Sequence, residues 1–211
     1  GVVVALSMTL ADIASLRLVC QQITTASYSS PVELAAHLGA LQAQDYTQAK
    51  WALGLRLPNS TDASIEQAIA AGDIVRTHIL RPTWHFVAAA DVRWMMALTA
   101  PQIAAQFAAR DRDLGLDAHI YKRTNDLIVS ALEGGRQLTR QELAAAIEQG
   151  GVAVNASRMV HIMMRAELDA VVCNGVRRGK VQTYALLDER IPPGKQLERD
   201  LALAELASRY F

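Results

Sequence analysis

Two glutamines and an aspartate stand together near residue 40, in a region that is otherwise rich in alanine and leucine. The segment reads Leu41-Gln42-Ala43-Gln44-Asp45-Tyr46. A glutamine amide cannot act as a general base, but it can orient a water molecule, and its carbonyl oxygen can stabilise developing positive charge. Asp45 could accept the proton that the amides cannot accept.

These side chains suit the hydrolysis of a bond whose leaving group needs little assistance. An N-glycosidic bond to an alkylated, cationic base is such a bond, because the base departs neutral while the sugar gains oxocarbenium character. On a regular helix Gln42 and Gln44 would point about 200° apart, and they would converge only at a helix-entry turn or a distorted segment. The alternative is an exposed helix junction in which Gln42, Gln44 and Asp45 are capping residues, and chemistry alone favours it.

A second polar stretch follows in a strand-like segment, Ile79-Leu80-Arg81-Pro82-Thr83-Trp84-His85-Phe86. Trp84 and Trp94 could stack on a base, although tryptophan beside apolar neighbours more often packs in a core. His37, His119 and His161 match no metal-ligand spacing, and the sequence contains no glycine-rich phosphate loop. The sequence therefore predicts neither a metal site nor a cofactor.

The second half predicts three short helices followed by a β-hairpin. The predicted helices cover residues 124–132, 140–148 and 158–169, with a capping box at Thr139-Arg140-Gln141-Glu142 and Asn155 or Ser157 as the cap of the third. Strands follow at residues 170–173 and 180–186. This order is typical of a winged helix, in which the third helix can enter the major groove of DNA and the hairpin forms the wing.

Basic residues occur where a winged helix would contact DNA. Arg158, His161 and Arg165 share one face of the third helix. Arg177, Arg178 and Lys180 cluster at the predicted hairpin tip. The alternative is a solvated helix face and a charged loop, and many winged helices use the same surfaces for protein contacts.

The first half repeats this order more loosely. Helices are predicted at residues 10–20, 31–39, 45–53 and 64–71, and strands at residues 74–80 and 83–87, before an alanine-rich helical segment at 91–110 that is interrupted at Ala100-Pro101. The predicted domains are a first winged helix with the glutamine pair (1–90), a helical linker (91–123), a second winged helix (124–192) and the first helix of an incomplete third unit (193–211). The predicted fold is thus mainly α with short β-hairpins, in tandem winged-helix motifs.

Composition limits the class of protein. Of the 211 residues, 51% are hydrophobic and only 5% aromatic, which favours helices over sheets. Lys+Arg and Asp+Glu are equal at 21 each, so no overall positive field indicates a polyanionic partner, although a local basic stripe is still compatible with DNA. Cys20 and Cys173 predict neither a disulfide framework nor a zinc site, which makes a reducing cytoplasm the simplest compartment.

The two ends of the chain carry their own expectations. Residues 1–6 are apolar but short and lack a basic flank, so they predict neither a signal peptide nor a membrane span. Residues 197–211 predict an amphipathic helix that stops without a cap or a partner, which suggests that the natural protein continues.

Three segments together resemble the AlkZ/YcaQ-like family: residues 41–45, residues 76–87 and Asp91-Val92-Arg93-Trp94. Its members are bacterial tandem winged-helix proteins, and some are DNA glycosylases that remove bulky alkylated bases and unhook interstrand crosslinks. The resemblance runs from about Leu10 to the end of the chain. It implies that the chain is truncated where family members continue into a third winged helix and a small β-barrel.

The resemblance also implies roles for particular residues. A Gln-x-Gln or Gln-x-Asp motif is the catalytic signature of the family, so Gln42 and Gln44 would position and polarise the attacking water at the anomeric carbon. Arg81, Thr83 and His85 map onto the family's Arg-Gly-Thr-x-His segment beside the site. Pro82 departs from this pattern, because it replaces the usual glycine and lacks the backbone N–H.

The sequence thus predicts a monofunctional, metal-free DNA glycosylase of the cytoplasm, with duplex DNA as its partner and no membrane association. Two alternatives stay open: a non-catalytic DNA-binding or regulatory module, and a protein-interaction scaffold, to which the neutral net charge gives some weight. The predicted catalytic residues are Gln42, Gln44 and Asp45. The predicted DNA-binding residues are Arg76, Arg81, Thr83, His85, Arg158, Arg165, Arg177, Arg178 and Lys180.

Overall fold

The computed structural model describes residues 8–210, so the expectation for residues 1–6 lies outside the described residues. The helices are α1 (Leu10–Cys20), α2 (Pro31–Leu38), α3 (Tyr46–Gly54), α4 (Asp62–Ala71), α5 (Ala89–Asp113), α6 (Ala118–Leu132), α7 (Arg140–Gln149), α8 (Ala156–Leu168), α9 (Leu187–Arg190) and α10 (Arg199–Tyr210). The strands are β1 (Leu41–Gln42), β2 (Ile74–His78), β3 (Trp84–Ala88), β4 (Leu138–Thr139), β5 (Val172–Asn174) and β6 (Thr183–Leu186).

The strands form two small antiparallel sheets of the same construction. In the first sheet the order is β1-β3-β2, and in the second it is β4-β6-β5. Each sheet is a hairpin with a two-residue strand added at its edge, and that short strand directly precedes or lies close to the start of a helix. The first repeat comprises α2–α4 with β1–β3, and the second comprises α6–α8 with β4–β6. A mostly helical fold with small antiparallel sheets is confirmed, and it matches a winged-helix type.

Side chains at the helix starts explain why these segments are helical. Ser30 caps α2 with Pro31 in its first turn, and Thr139 and Glu142 form the predicted capping box of α7. Asn155, and not Ser157, caps α8. Each of these side chains accepts a bond from a backbone N–H that the helix leaves unpaired.

The two largest differences from the predicted elements are in α5 and α6. The helical segment after the first hairpin is not interrupted at Ala100-Pro101, since α5 continues through Pro101 to Asp113. Its inward residues Ala100 and Ile103 are buried, and this packing holds the helix together despite the bond that the proline cannot donate. The helix predicted from residue 124 begins six residues earlier, where Asp117 accepts from the Ile120 N–H.

The two repeats share a hydrophobic core. One cluster joins Val75 and Ile79 of the first hairpin to Met164 and Leu168 of α8, with α5 packed between them. Each repeat also has one hydrophobic cluster of its own. The predicted boundaries at residues 90, 123 and 192 remain predictions, but both repeats are packed against α5. Among the described residues, no helix combines the length and the apolar character that crossing a membrane requires.

Candidate catalytic and nucleic-acid-binding site

The glutamine pair lies on an extended segment at the edge of the first sheet. Gln42 pairs with His85, and the next residue continues the ladder, because the Ala43 N–H donates to the Trp84 carbonyl oxygen at 2.7 Å. Ala43 is 0% exposed, whereas Gln42 and Gln44 are both exposed. Side chains alternate between the two faces of an extended chain, so both amides lie on the solvent side. The pair is therefore exposed where a short strand leads into a turn, and not on a regular helix.

Asp45 directly follows the pair and caps α3. Its Oδ1 accepts from the Gln48 N–H at 3.0 Å, and the residue is exposed. The capping role considered from the sequence is thus real for Asp45, while the two glutamines belong to a strand and the turn that follows it. Asp45 stays next to Gln44, which keeps its carboxylate at the edge of the site.

Arg76 lies beneath the glutamine segment and holds its backbone. Its Nε donates to the Ala43 carbonyl oxygen at 2.9 Å, and its NH2 donates to that of Gln44 at 3.2 Å. The guanidinium is centred 4.2 Å from the indole ring of Trp84. Burial lowers the pKa of Arg76, which is only 8% exposed. Arg76, which is predicted to bind DNA, thus contacts the protein's own main chain, and a contact with DNA stays a prediction.

Arg81 and His85 border the pair from the neighbouring hairpin. The Arg81 NH2 donates to Gln42 Oε1 at 3.2 Å, and Arg81 is exposed. The His85 ring is buried with its Nδ1 2.9 Å from the Thr83 carbonyl oxygen. Burial lowers the pKa of His85, so a neutral ring donates this bond near pH 7. Of these residues, Arg81 is the one that solvent, and therefore DNA, can reach.

The tip of this hairpin is built from two three-residue turns. The Arg81 N–H donates to the Ile79 carbonyl oxygen and the Thr83 N–H to that of Arg81, both at 2.7 Å. Leu80, at the centre of the first turn, has φ 61°, a strained value for a residue with a side chain. Pro82 is at the centre of the second, where a fixed negative φ is suitable and no N–H is needed. The proline is therefore compatible with this tip.

The wing of the second repeat reaches the first repeat beside this site. The Arg177 guanidinium lies 4.3 Å from the centre of the Tyr46 ring, and Tyr46 is the first residue of α3. Arg177 NH2 also donates to the Lys180 carbonyl oxygen at 2.8 Å, within the wing tip. Arg81 therefore contacts the glutamine pair from the first hairpin, and Arg177 contacts Tyr46, two residues after the pair, from the second. Lys180 is exposed on the same tip as Arg177.

The remaining predicted DNA-binding residues are not brought to this surface. Arg158 donates to the Leu114 carbonyl oxygen at 3.0 Å, and Arg165 donates to Asp169 at 2.7 Å. The face that carries them packs against α5 and α6, and α8 is enclosed along most of its length. Both arginines thus have partners within the protein, and contact of this face of α8 with a major groove stays a prediction.

Arg178 is also engaged within the protein, although it lies on the wing. Its NH1 is 2.7 Å from Oε1 and 3.0 Å from Oε2 of Glu142, and its NH2 donates to the Gln137 carbonyl oxygen. Arg178 thereby ties the wing to the start of α7. Arg178 is exposed in spite of these contacts, as is Lys180, whereas Arg177 is half-buried.

Sequence reasoning did not identify Glu167 of α8. Its carboxylate is 1% exposed and contacts residues of the first hairpin. Burial acts to raise its pKa, but the charge and hydrogen bonds of His78 outweigh burial and lower it. The only signal in the sequence is an acidic residue between the apolar residues Ala166 and Leu168, since its partners lie more than 80 residues away.

Within residues 8–210, no group of three or more His, Cys, Asp or Glu side chains is arranged to hold a metal ion. Cys20 is exposed and Cys173 is buried, and both are free thiols. The geometry of this site is therefore that of amides, a carboxylate and guanidinium groups.

The fold and the site define a winged-helix-type protein with a solvent-facing glutamine pair. The sequence matches the family described as DNA glycosylase AlkZ-like over residues 35–211, so the chain belongs to the AlkZ-like family. The structure is similar to the Streptomyces sahachiroi DNA glycosylase AlkZ, with a TM-score of 0.76 and 20% sequence identity. That similarity covers 92% of this chain and 54% of the other, so this chain spans about half the length of that protein. No curated protein sequence matches the chain.

Proposed function

We propose that this chain carries the active site of a monofunctional, metal-free DNA glycosylase that hydrolyses the N-glycosidic bond of bulky alkylated bases in duplex DNA. The observation that carries the proposal is the glutamine pair, which is exposed at the end of β1 on a backbone segment that the buried Arg76 holds through the Ala43 and Gln44 carbonyl oxygens. Membership of the AlkZ-like family supports it.

The reaction needs little from the protein beyond orientation and charge stabilisation. A water molecule between the amides of Gln42 and Gln44 attacks the anomeric carbon of the nucleotide. The bond from that carbon to the base nitrogen breaks, and its electron pair leaves with the base, which is neutral if the alkylated base was cationic. The amide carbonyl oxygens stabilise the oxocarbenium character of the sugar. Asp45 or solvent accepts the proton that the water loses.

Arg81, Arg177 and Lys180 are the proposed phosphate contacts, because they are the predicted basic residues that border the site. Each such contact contributes about 0.9 to the slope of log affinity against log salt. The exposed position of Gln42 and Gln44 supports bulky adducts as substrates, including interstrand crosslinks, because the sugar can be approached without a narrow pocket. A role in DNA repair and two free thiols are consistent with the cytoplasm.

Base release from duplex DNA that contains an N7-alkylguanine tests the proposal. We expect Gln42→Ala with Gln44→Ala to slow single-turnover release by about 100-fold or more, since loss of an oriented polar group at a reacting centre has effects of that order. Affinity for DNA should change by less than about twofold, because the phosphate contacts remain. Gln102→Ala with Gln106→Ala is the matched control, because both glutamines are exposed on α5, away from the site.

A non-catalytic DNA-binding module is the second candidate, and two contacts favour it. Arg81 already donates to Gln42 Oε1, and Asp45 already caps α3. This candidate predicts salt-sensitive DNA binding with no base release from any alkylated duplex. Absence of a salt dependence would instead support a protein-interaction scaffold.

A further inference from the structure

Glu167 belongs to the second repeat, yet its hydrogen bonds go to the first hairpin. Its Oε2 accepts from the His78 backbone N–H at 2.9 Å and from the Thr77 hydroxyl at 3.3 Å, and it lies 2.7 Å from His78 Nδ1. Its Oε1 accepts from the Trp84 indole N–H at 3.3 Å. A buried carboxylate with this many donors fixes the side chains around it.

Trp84 connects this carboxylate to the glutamine segment in two ways. Its carbonyl oxygen accepts from the Ala43 N–H at 2.7 Å. Its indole ring lies 4.2 Å from the Arg76 guanidinium, which in turn donates to the carbonyl oxygens of Ala43 and Gln44. Ala43, between the two glutamines, is therefore held at both its N–H and its carbonyl oxygen by residues that Glu167 orients or faces.

We propose that Glu167 is a positioning residue for the glutamine pair, acting through Trp84 and Arg76 without touching the substrate. The proposal rests on the proposed glycosylase function for its catalytic consequence. The geometry of the Gln42 and Gln44 amides then depends on α8, so the second repeat completes a site whose reacting groups all lie in the first.

The charges of Arg76 and Glu167 also support the positioning role of Glu167. Arg76 is a buried cation, and the negative charge of Glu167 favours its charged form in a place where burial opposes it. Removal of that charge would weaken the hydrogen bonds from His78 and Trp84, and so the packing of Trp84 against Arg76. A displacement of about 1 Å at a reacting centre can cost about 100-fold in rate, so a small shift of this segment has a measurable effect.

Glu167→Gln tests the proposal, because glutamine keeps the size of the side chain and loses its charge. Asp111→Asn is the matched control: Asp111 Oδ1 lies 2.6 Å from His161 Nδ1, which is the same carboxylate–imidazole contact elsewhere on α8. We expect Glu167→Gln to slow single-turnover base release about tenfold or more at saturating DNA, with DNA affinity changed less than about threefold. Asp111→Asn should release base within about twofold of the wild-type rate, although its urea midpoint should fall by about as much as that of Glu167→Gln.

Amide hydrogen exchange at Ala43 is the second readout, and it does not depend on catalysis. Exchange should accelerate at least about tenfold in Glu167→Gln and stay unchanged in Asp111→Asn, since local opening sets the exchange rate. Trp84→Phe should produce the same two effects, because it removes the indole N–H and keeps a ring beneath Arg76. Trp84→Phe can therefore replace Glu167→Gln in both measurements if Glu167→Gln does not fold.

The outcomes separate the two proposals. If the wild type releases no base while Ala43 exchange accelerates in Glu167→Gln, the positioning role stands and the glycosylase proposal fails. If the wild type releases base and Glu167→Gln equals it in rate and in Ala43 exchange, the positioning role is wrong. A parallel fall of rate, affinity and stability in both Glu167→Gln and Asp111→Asn would also overturn it, because that result describes a general loss of stability.

Discussion

Two arginines that are both predicted to bind DNA have different roles in this molecule, because one is buried and the other is exposed. Arg76 and Arg81 belong to the same hairpin, but Arg76 binds main-chain carbonyl oxygens beneath the glutamine segment, whereas Arg81 is exposed and reaches the Gln42 amide. A sequence indicates the type of a side chain and an approximate face. It does not indicate which arginine faces the protein's own backbone, because that depends on the packing of β1 on β3.

At Thr83, an effect of a substitution on stability can be distinguished from an effect on DNA binding. Its Oγ1 is buried and finds no hydrogen-bond partner among the described residues. A buried hydroxyl without a partner costs free energy, so we expect Thr83→Val to leave the free energy of unfolding unchanged or to raise it by about 1 kcal/mol. Urea denaturation at pH 7 measures this change.

Thr77→Val is the matched control on the same hairpin, because the Thr77 hydroxyl donates to Glu167. That substitution should lower the free energy of unfolding by about 1 kcal/mol or more. If Thr83→Val destabilises the protein as much as Thr77→Val does, the Thr83 hydroxyl has a partner in solution. A loss of DNA affinity in Thr83→Val at unchanged stability would instead assign the hydroxyl to DNA.

Elements with local signals were predictable, and elements that depend on distant partners were not. The starts of α1, α2 and α7 follow from caps that lie within three residues of each helix. The two-residue strands β1 and β4 exist only because they pair with β3 and β6, which lie more than 40 residues further along the chain. The extended geometry of the glutamine pair therefore could not be read from its own neighbourhood.

The burial of α8 could also be recognised only from the structure. Its sequence has an apolar face and basic residues, as a recognition helix would, but α5 and β2 cover the side that carries Glu167 and Leu168. The 3.6-residue period identifies one face as apolar and leaves open whether the opposite face meets solvent or another helix. Here Arg158 and His161 meet α5 and the loop that follows it.

The wing of the second repeat depends on an ion pair that responds to acid. Glu142 accepts from the Thr139 backbone N–H and from Arg178, and these contacts, that of Thr139 first, lower its pKa to about 2. The carboxyl group of an unfolded glutamate has a pKa of about 4.3. Because the folded pKa is depressed, the contribution of Glu142 to stability is fully present above the unfolded value and is lost as pH falls towards about 2.

We therefore expect Glu142→Gln to flatten the acid side of the stability profile. Urea midpoints at pH 7, 4 and 3 should fall less steeply for Glu142→Gln than for the wild type, while the variant is less stable at pH 7. Glu148→Gln, at the other end of α7, should follow the wild-type slope. Equal slopes for the wild type and Glu142→Gln would mean that the Arg178–Glu142 contact does not form in solution and that the wing is not anchored there.

At the scale of the whole molecule, the repeats are coupled by polar contacts as well as by a shared core. Asn174 Oδ1 accepts from the Arg76 backbone N–H at 2.7 Å, and Arg190 NH2 donates to the Ile69 carbonyl oxygen at 2.7 Å. With the bonds of Glu167, these contacts join the first repeat to α8, β5 and α9. Tandem winged helices are predictable from the order of elements, but this coupling arises from pairs of residues that are about 90 to 120 residues apart.

Coupling of this kind predicts that the two repeats unfold in one transition. All three tryptophans lie at positions 51, 84 and 94, so tryptophan fluorescence reports on the first repeat and α5, whereas far-UV circular dichroism also reports on α6–α8. We expect the two signals to have the same urea midpoint, as two-state unfolding requires. Glu167→Gln should lower both midpoints together, because the lost contacts belong to both repeats. A fluorescence midpoint distinct from that of circular dichroism would show that each repeat is stable alone, and the glutamine pair would then owe its geometry to the first repeat only.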